Sequence, residues 1–255
     1  DEMNMHAPQS LASMIELKNI ATVKNQIISP RENKPIITIV QDTLLGMNKL
    51  TKSEKITYVN KSEGDMYFNE NTNMYPVSES VEQKTIVDES TYFNKTQLMN
   101  IICNLSTFNG NIPDPTKQLL FEGELIDVWS GKSIVSYILP NNLNLEMNNS
   151  SYDNNTSDKF NDKLNKIKIV NGELIQGSLD KNVFTKTSKG LIHTIYNDYG
   201  HDRASDFIND MQKIVTYFLL TEGFSVGIGD IIASEGINTE IRETIQENKG
   251  QINDL

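Results

Sequence analysis

Apolar residues recur along this chain with two different periods, and the points where the period changes mark its elements. Between residues 10 and 24, Met14, Leu17, Ile20 and Ala21 fall at helical spacings, and Ser13-x-x-Glu16 has the form of a capping box. SPRENKP (29–35) interrupts with two prolines, and IITIV (36–40) predicts a short β-branched strand. Leu44, Leu45 and Met47 restore the helical period within QDTLLGMNKLT (41–51). Residues 52–90 are polar and aperiodic, which predicts a long loop or insertion with some strand content. A helix is expected over 94–105, where Asn94-Lys-Thr-Gln97 precedes Leu98, Ile101, Ile102 and Leu105.

Further on, PDP (113–115) is a breaker, and LLFEGELIDVWSGKSIVSYILP reads as a strand followed by a helix from Ser130 to Leu139, stopping before Pro140. The asparagine-rich stretch 141–163 reads as a mobile loop. IKIV, Asn171-Gly172 and ELIQGSL form a hairpin signal, because Asn-Gly suits the positive φ angles of a type I′ turn. GLIHTIY, from Gly190, is a further strand candidate. Over 203–222 the helical signal is strongest. Phe207, Met211, Ile214, Phe218 and Leu219 share one face there, and Gly223 supplies a stop. FSVGIGDIIAS (224–234) reads as a glycine-punctuated strand or turn, and NTEIRETIQENKG opens a last, charged helix. Local hairpins mixed with helices, without regular βαβ repeats, predict an α+β fold.

Composition narrows the function classes. The 255 residues suffice for one large or two modest domains with a sizeable core. With 34 acidic against 23 basic residues, the net charge of −11 argues against a freestanding protein that wraps nucleic acid. It leaves room for a component beside a metal ion or a basic partner surface. One cysteine excludes an internal disulfide and a multi-cysteine zinc site. Set in the apolar run LMNIICNL, Cys103 reads as a core residue. There is no apolar run of the ~20 residues needed to cross a bilayer, and no secretory signal pattern. The expectation is an intracellular, soluble chain with no membrane partner.

Candidate chemistry is sparse. No phosphate-binding loop and no H-E-x-x-H helix is present. Gly227-Ile-Gly229-Asp230 is too short for a dinucleotide fingerprint and reads as a tight turn. His6, His193 and His201 are far apart, and each by itself reads as structural; His201, in YGHD, suits a brace for the helix at 203–222. Trp129 reads as a core anchor. Asp1 and Glu2 are adjacent carboxylates, the ligand type a hard divalent cation prefers. Their side chains diverge and an α-amino group adjoins them, so the pair alone is a weak site.

Several stretches nevertheless resemble, in order and spacing, the largest (β′-like) subunit of multisubunit DNA-directed RNA polymerases. DEMNMHAPQS resembles the continuation of that family's N-A-D-F-D-G-D motif, with Asp1 standing at its third aspartate. SPRENKPIITIVQDTLLGMNKLT resembles the segment with a proline pair followed by Q-D-T, at the family's separation from the motif. LIDVWSGKSIVSYILP resembles L-W-T-G-K-Q-I-x-S-x-I-x-P, and VNGELIQGSLDKN resembles N-G-E-L-x-x-G-x-x-x-K. GLIHTIYNDYGHDRASDFINDMQKIVTYFLLTEGFSVGIGDIIAS resembles the helix and glycine turn closing the pore domain. Residues 52–90 and 141–163 match poorly and read as variable loops. EMN and GIGD place the chain nearer the eukaryotic or large-DNA-virus enzymes than the bacterial ones.

The resemblance implies a piece of the catalytic subunit that starts inside the motif: the end of the active-site domain (1–28), the pore domain (29–222), and the end of the pore with the start of a helical funnel (223–255). It implies that Asp1 is one of three aspartates holding a catalytic Mg²⁺ in the complete enzyme. It implies too that His6, Gln41, Asp42, Gly227, Gly229 and Asp230 lie near that metal or along the channel wall, the two glycines through close backbone packing. Gln41 and Asp42 could equally be a buried, hydrogen-bonded supporting pair. The implied partners are the second-largest and other polymerase subunits, the DNA template, the RNA transcript, nucleoside triphosphates and a transcript-cleavage factor. The implied compartment is the nucleus, a cytoplasmic viral factory or a virion. The chain by itself is expected to be inactive. Two alternatives remain: a noncatalytic split-subunit or assembly module that completes a polymerase, and an unrelated acidic binding domain.

Overall fold

The computed structural model describes residues 2–59, 66–69, 83–121, 124–154, 158–186 and 189–253. It is α+β, as the pattern predicted, and divides into two compact units, Asp1–Leu220 and Thr221–Leu255. The chain opens with α1 (Leu11–Glu16), which loosens into a π-helical turn (Leu17–Ala21) and then a 3₁₀ turn (Val23–Gln26). Its cap is Ser10 and not Ser13. Ser10 has extended backbone, and its Oγ accepts from the Ser13 amide at 3.1 Å, which leaves Ser13 inside the first turn.

A small hairpin of β1 (Ile28–Ser29) and β2 (Lys34–Pro35) follows. The strand expected at 36–40 does not form. The ladder ends at Pro35, and the amides of Ile36 and Ile37 both converge on the Ile27 carbonyl. Next come α2 (Gln41–Thr51) and then β3 (Ser53–Val59), β4 (Met66–Asn69) and β5 (Gln83–Glu89), which pair in the order β4-β3-β5. The aperiodic stretch thus contains an antiparallel sheet.

β6 (Tyr92–Phe93) leads into α3 (Lys95–Ile102), where Asn94 and Gln97 form the expected reciprocal capping box. Cys103, expected in the core, is exposed. α3 buries Leu98, Ile101 and Ile102, and Cys103 is the residue where the helix ends. β7 (Lys117–Phe121) and β8 (Glu124–Ser130) form a hairpin where one strand was expected, and α4 (Gly131–Ile138) follows directly.

β9 (Leu145–Asn148) falls in the stretch expected to be loop, followed by α5 (Asn161–Asn165). β10 (Lys166–Val170) and β11 (Glu173–Gln176) make the expected hairpin. Asn171 and Gly172 turn with φ of 51° and 82°, and β9 adds to β10 as a third strand. After α6 (Lys181–Thr185) comes α7 (Leu191–Glu222). Its first turns take the place of the strand expected in GLIHTIY, because Leu191, Ile192 and Ile195 are buried at helical spacing. Gly200, at φ 87°, breaks α7 internally, and Gly223, at φ 62°, follows its end.

One core runs through the first unit. Phe207, Met211, Ile214 and Phe218 of α7 pack with Met47 and Leu50 of α2, Leu98 and Ile102 of α3, and Ile134 and Ile138 of α4. The second unit holds a 3₁₀ turn (Ile228–Asp230) and α8 (Glu235–Asn253).

Candidate functional site

Most residues singled out in the sequence stand at the ends of elements. Asp1 lies outside the described residues. Glu2 and His6 are exposed in a stretch without regular structure, and His6 borders a cavity of about 620 Å³ with Ser13, Leu17 and Ile20. Among the described residues, no group of three His, Cys, Asp or Glu side chains is placed to hold a metal ion.

Gln41 and Asp42 open α2, a helix rooted firmly behind them. Thr43 Oγ1 donates to Gln212 Oε1 at 3.0 Å, and Asn48 Nδ2 donates to the Leu179 carbonyl at 3.0 Å. Gly46 lets α2 approach α7 so closely that an added Cβ would sit 2.4 Å from Val215 Cγ1. Gln41 and Asp42 themselves are exposed, and among the described residues neither side chain has a hydrogen-bond partner, so they are not a buried supporting pair. Gln41 has a φ of 51°, a left-handed conformation that costs a non-glycine residue about 1–2 kcal/mol. Asp42 places a carboxylate in the first turn, where the helix dipole favours it.

At the junction of β8 and α4, Trp129 is buried with its Nε1 donating to the Pro113 carbonyl at 2.8 Å, the anchor the sequence suggested. Ser130 caps α4 by accepting from the Ser133 amide. Gly131 must be glycine, since a Cβ would lie 1.9 Å from the Leu50 carbonyl oxygen. Lys132 is only 4% exposed, and its Nζ donates to Ser53 Oγ at 2.5 Å and Glu89 Oε1 at 3.0 Å. A cation at a helix N-terminus opposes the dipole, and Glu89 offsets it. Lys132 thereby ties α4 to β3 and β5. Sequence reasoning missed this brace, because Ser53 and Glu89 fall in the aperiodic stretch; the available signal was a lysine starting an apolar helix.

Asp210 was also missed. It is fully buried on α7, and its carboxylate accepts from the amides and hydroxyls of Ser106 and Thr107 at 2.7–3.1 Å. Burial alone would raise its pKa; those four hydrogen bonds outweigh burial and hold it below the usual carboxylate range. The available signal was an acid on the helix face that carries Phe207, Met211 and Ile214. His193 is buried between Asn33 and Asn197, at 3.2 and 3.0 Å. His201 follows the break at Gly200, with Nδ1 3.3 Å from Asp202 Oδ1.

In the second unit, the Gly227 amide donates to Asp230 Oδ2 at 2.8 Å, closing the tight turn. Among the described residues, neither glycine is closely packed. A Cβ on Gly229 would meet nothing within 4 Å, and one on Gly227 would meet only Asp230 Oδ2 at 3.5 Å.

The sites thus sit on a frame whose segments (the hairpin ending at Pro35, α2, the Trp129–Lys132 junction, the Asn171-Gly172 turn and α7) follow the order of the polymerase motifs. A family model described as RNA polymerase Rpb1, domain 3, matches residues 26–231, most of the chain. The opening stretch and all of α8 lie beyond that match. The chain belongs to the family of domain 3 of Rpb1, the largest subunit of RNA polymerase.

Proposed function

We propose that this chain forms the wall of the channel through which nucleoside triphosphates reach the catalytic centre of a eukaryotic- or viral-type RNA polymerase. Family membership makes it part of the largest subunit of a DNA-directed RNA polymerase, a nucleotidyltransferase that assembles from several subunits. The observation that carries the channel reading is the state of Gln41 and Asp42. A strained, exposed glutamine and an aspartate without a side-chain partner among the described residues stand at the tip of a helix whose remaining turns are fixed in the core. Strain of this kind persists where the surrounding structure over-determines it, and it concentrates at functional sites.

In this reading the chain's own part in metal binding is Asp1, with the other aspartates contributed from outside this sequence. Bound Mg²⁺ supplies charge stabilisation to the oxygens of an in-line phosphoryl displacement. Gln41 and Asp42 offer hydrogen-bond acceptors and a carboxamide donor to groups passing along the channel. The turn at Gly227–Asp230 offers an exposed carboxylate already aligned by a backbone amide.

The test uses the complete polymerase, reconstituted with variants of this subunit. Asp1→Ala is expected to reduce RNA synthesis by roughly 10²-fold or more and to raise the Mg²⁺ concentration giving half-maximal rate. Gln41→Ala and Asp42→Asn are expected to raise KM for triphosphates more than they lower kcat. An Asp1→Ala enzyme with wild-type rate and Mg²⁺ dependence would refute the metal role. The assembly-module reading would then stand.

A further inference from the structure

A cleft of about 770 Å³ in the first unit lies between α4, the Asn171-Gly172 turn and the first residues after the break in α7. No role assigned above uses it. Its unusual feature is Arg203. The guanidinium Nη2 donates to the Ile138 carbonyl at 2.5 Å, while Nη1 is buried with no hydrogen-bond partner. Arg203 makes no ion pair among the described residues. Asp210 is already engaged by Ser106 and Thr107, and Asp206 acts on Arg203 only from a distance. Burial pushes the Arg203 pKa down, and the charges of Asp206 and Asp210 offset only part of that effect. Leaving such a donor unsatisfied is costly, and Arg203 lines the cleft, so an acceptor carried into the cleft suits the arm that Ile138 does not occupy.

The rest of the lining indicates what carries that acceptor. Lys132, the other cation, is committed to Glu89. Asp114 and Glu173 also line the cleft, and both are exposed carboxylates without a hydrogen-bond or ion-pair partner among the described residues. A polyanion such as RNA or DNA would meet two free acids for each free base. Apolar surface at the rim comes from the half-buried Pro113 and from Ile175, which is 53% exposed on the edge strand β11. Both signs of charge beside an apolar lip match an extended peptide, not a nucleotide.

We propose that this cleft receives an extended segment of another polymerase subunit, with an acidic side chain seated on Arg203 and flanking basic side chains paired with Asp114 and Glu173. The proposal needs only membership of a multisubunit polymerase and is independent of the roles of Asp1 and Gln41.

The experiment places the photo-crosslinker p-benzoylphenylalanine at Ile175 of the subunit, assembles the complete polymerase, irradiates it and maps the products by mass spectrometry. The expected product joins Ile175 to a segment of a different subunit that carries an acid flanked by bases. Its yield is expected to fall roughly tenfold in Arg203→Gln, since losing one partner of a buried charge pair costs at least that much. Because Arg203 also holds the Ile138 carbonyl, the deciding variant is the exposed double reversal Asp114→Lys with Glu173→Lys, with a similar loss expected. Crosslinks confined to the same subunit, crosslinks to RNA or triphosphate, or a yield unchanged by the double reversal would each overturn the proposal.

Discussion

Two stretches of the first unit carry apolar residues at helical spacing, and they end up in opposite states. In α7, Phe207, Met211, Ile214 and Phe218 are entirely or almost entirely buried. In residues 2–26, Leu11, Met14, Ile15, Leu17 and Ile20 are all exposed, and the helix that carries them loosens after six residues. Periodicity alone does not distinguish the two. What differs is the presence of opposing elements: α7 has α2, α3 and α4 against it, whereas α1 buries no residue of its own. The contrast says that an apolar period becomes a core face only where other elements of the chain meet it.

The largest effect that tests this contrast is core truncation. Phe207→Ala is expected to cost about 3–5 kcal/mol in urea unfolding of the chain, whereas Met14→Ala should stay within about 0.5 kcal/mol. A comparable loss at Met14 would mean that α1 packs onto this chain in solution. Next in size is the Lys132 brace. Lys132→Met leaves the half-buried Glu89 without its cation and is expected to cost about 3 kcal/mol. Pairing it with Glu89→Leu should recover most of that loss, since an apolar pair of similar volume substitutes well for a buried ion pair.

Asp210 sharpens the comparison through pH. Its pKa is depressed in the folded chain, so its contribution is fully present above the unfolded value near 3.9 and is lost as pH falls through the folded value. Wild-type stability should therefore decline below about pH 4, and Asp210→Asn should flatten that part of the profile. At neutral pH the same variant is expected to lose about 3 kcal/mol, because its single amide oxygen can serve only one of the Ser106 and Thr107 donor pairs and its amide nitrogen faces the other.

How much of this was legible follows from where the information sits. The Asn171-Gly172 hairpin, the Asn94–Gln97 capping box and the core face of α7 were readable because local chemistry determines each of them. IITIV was misread because β propensity cannot show that Pro35 ends the ladder, and GLIHTIY because its apolar residues suit a strand as well as the start of α7. The Lys132–Glu89–Ser53 brace and the Asp210 anchor join residues 43 to 104 positions apart, a distance that no sequence period spans. The family motifs revealed the polymerase relationship, but gave no sign of the strain at Gln41.

That strain gives the smallest and most discriminating effect. Gln41→Gly removes a left-handed penalty of about 1–2 kcal/mol but frees the unfolded chain by about 0.5–1 kcal/mol, so a net gain near 0.5 kcal/mol is expected. Gln41→Ala keeps the penalty and should leave stability unchanged. Both variants lack the carboxamide, so in the complete polymerase they should share the same rise in KM for triphosphates if that group touches the passing substrate. A deficit in the glycine variant alone would instead assign the role to the rigid backbone at the tip of α2. Wild-type kinetics in both, with the stability gain in glycine, would leave the strain without a function and remove the main support for placing α2 on the channel wall.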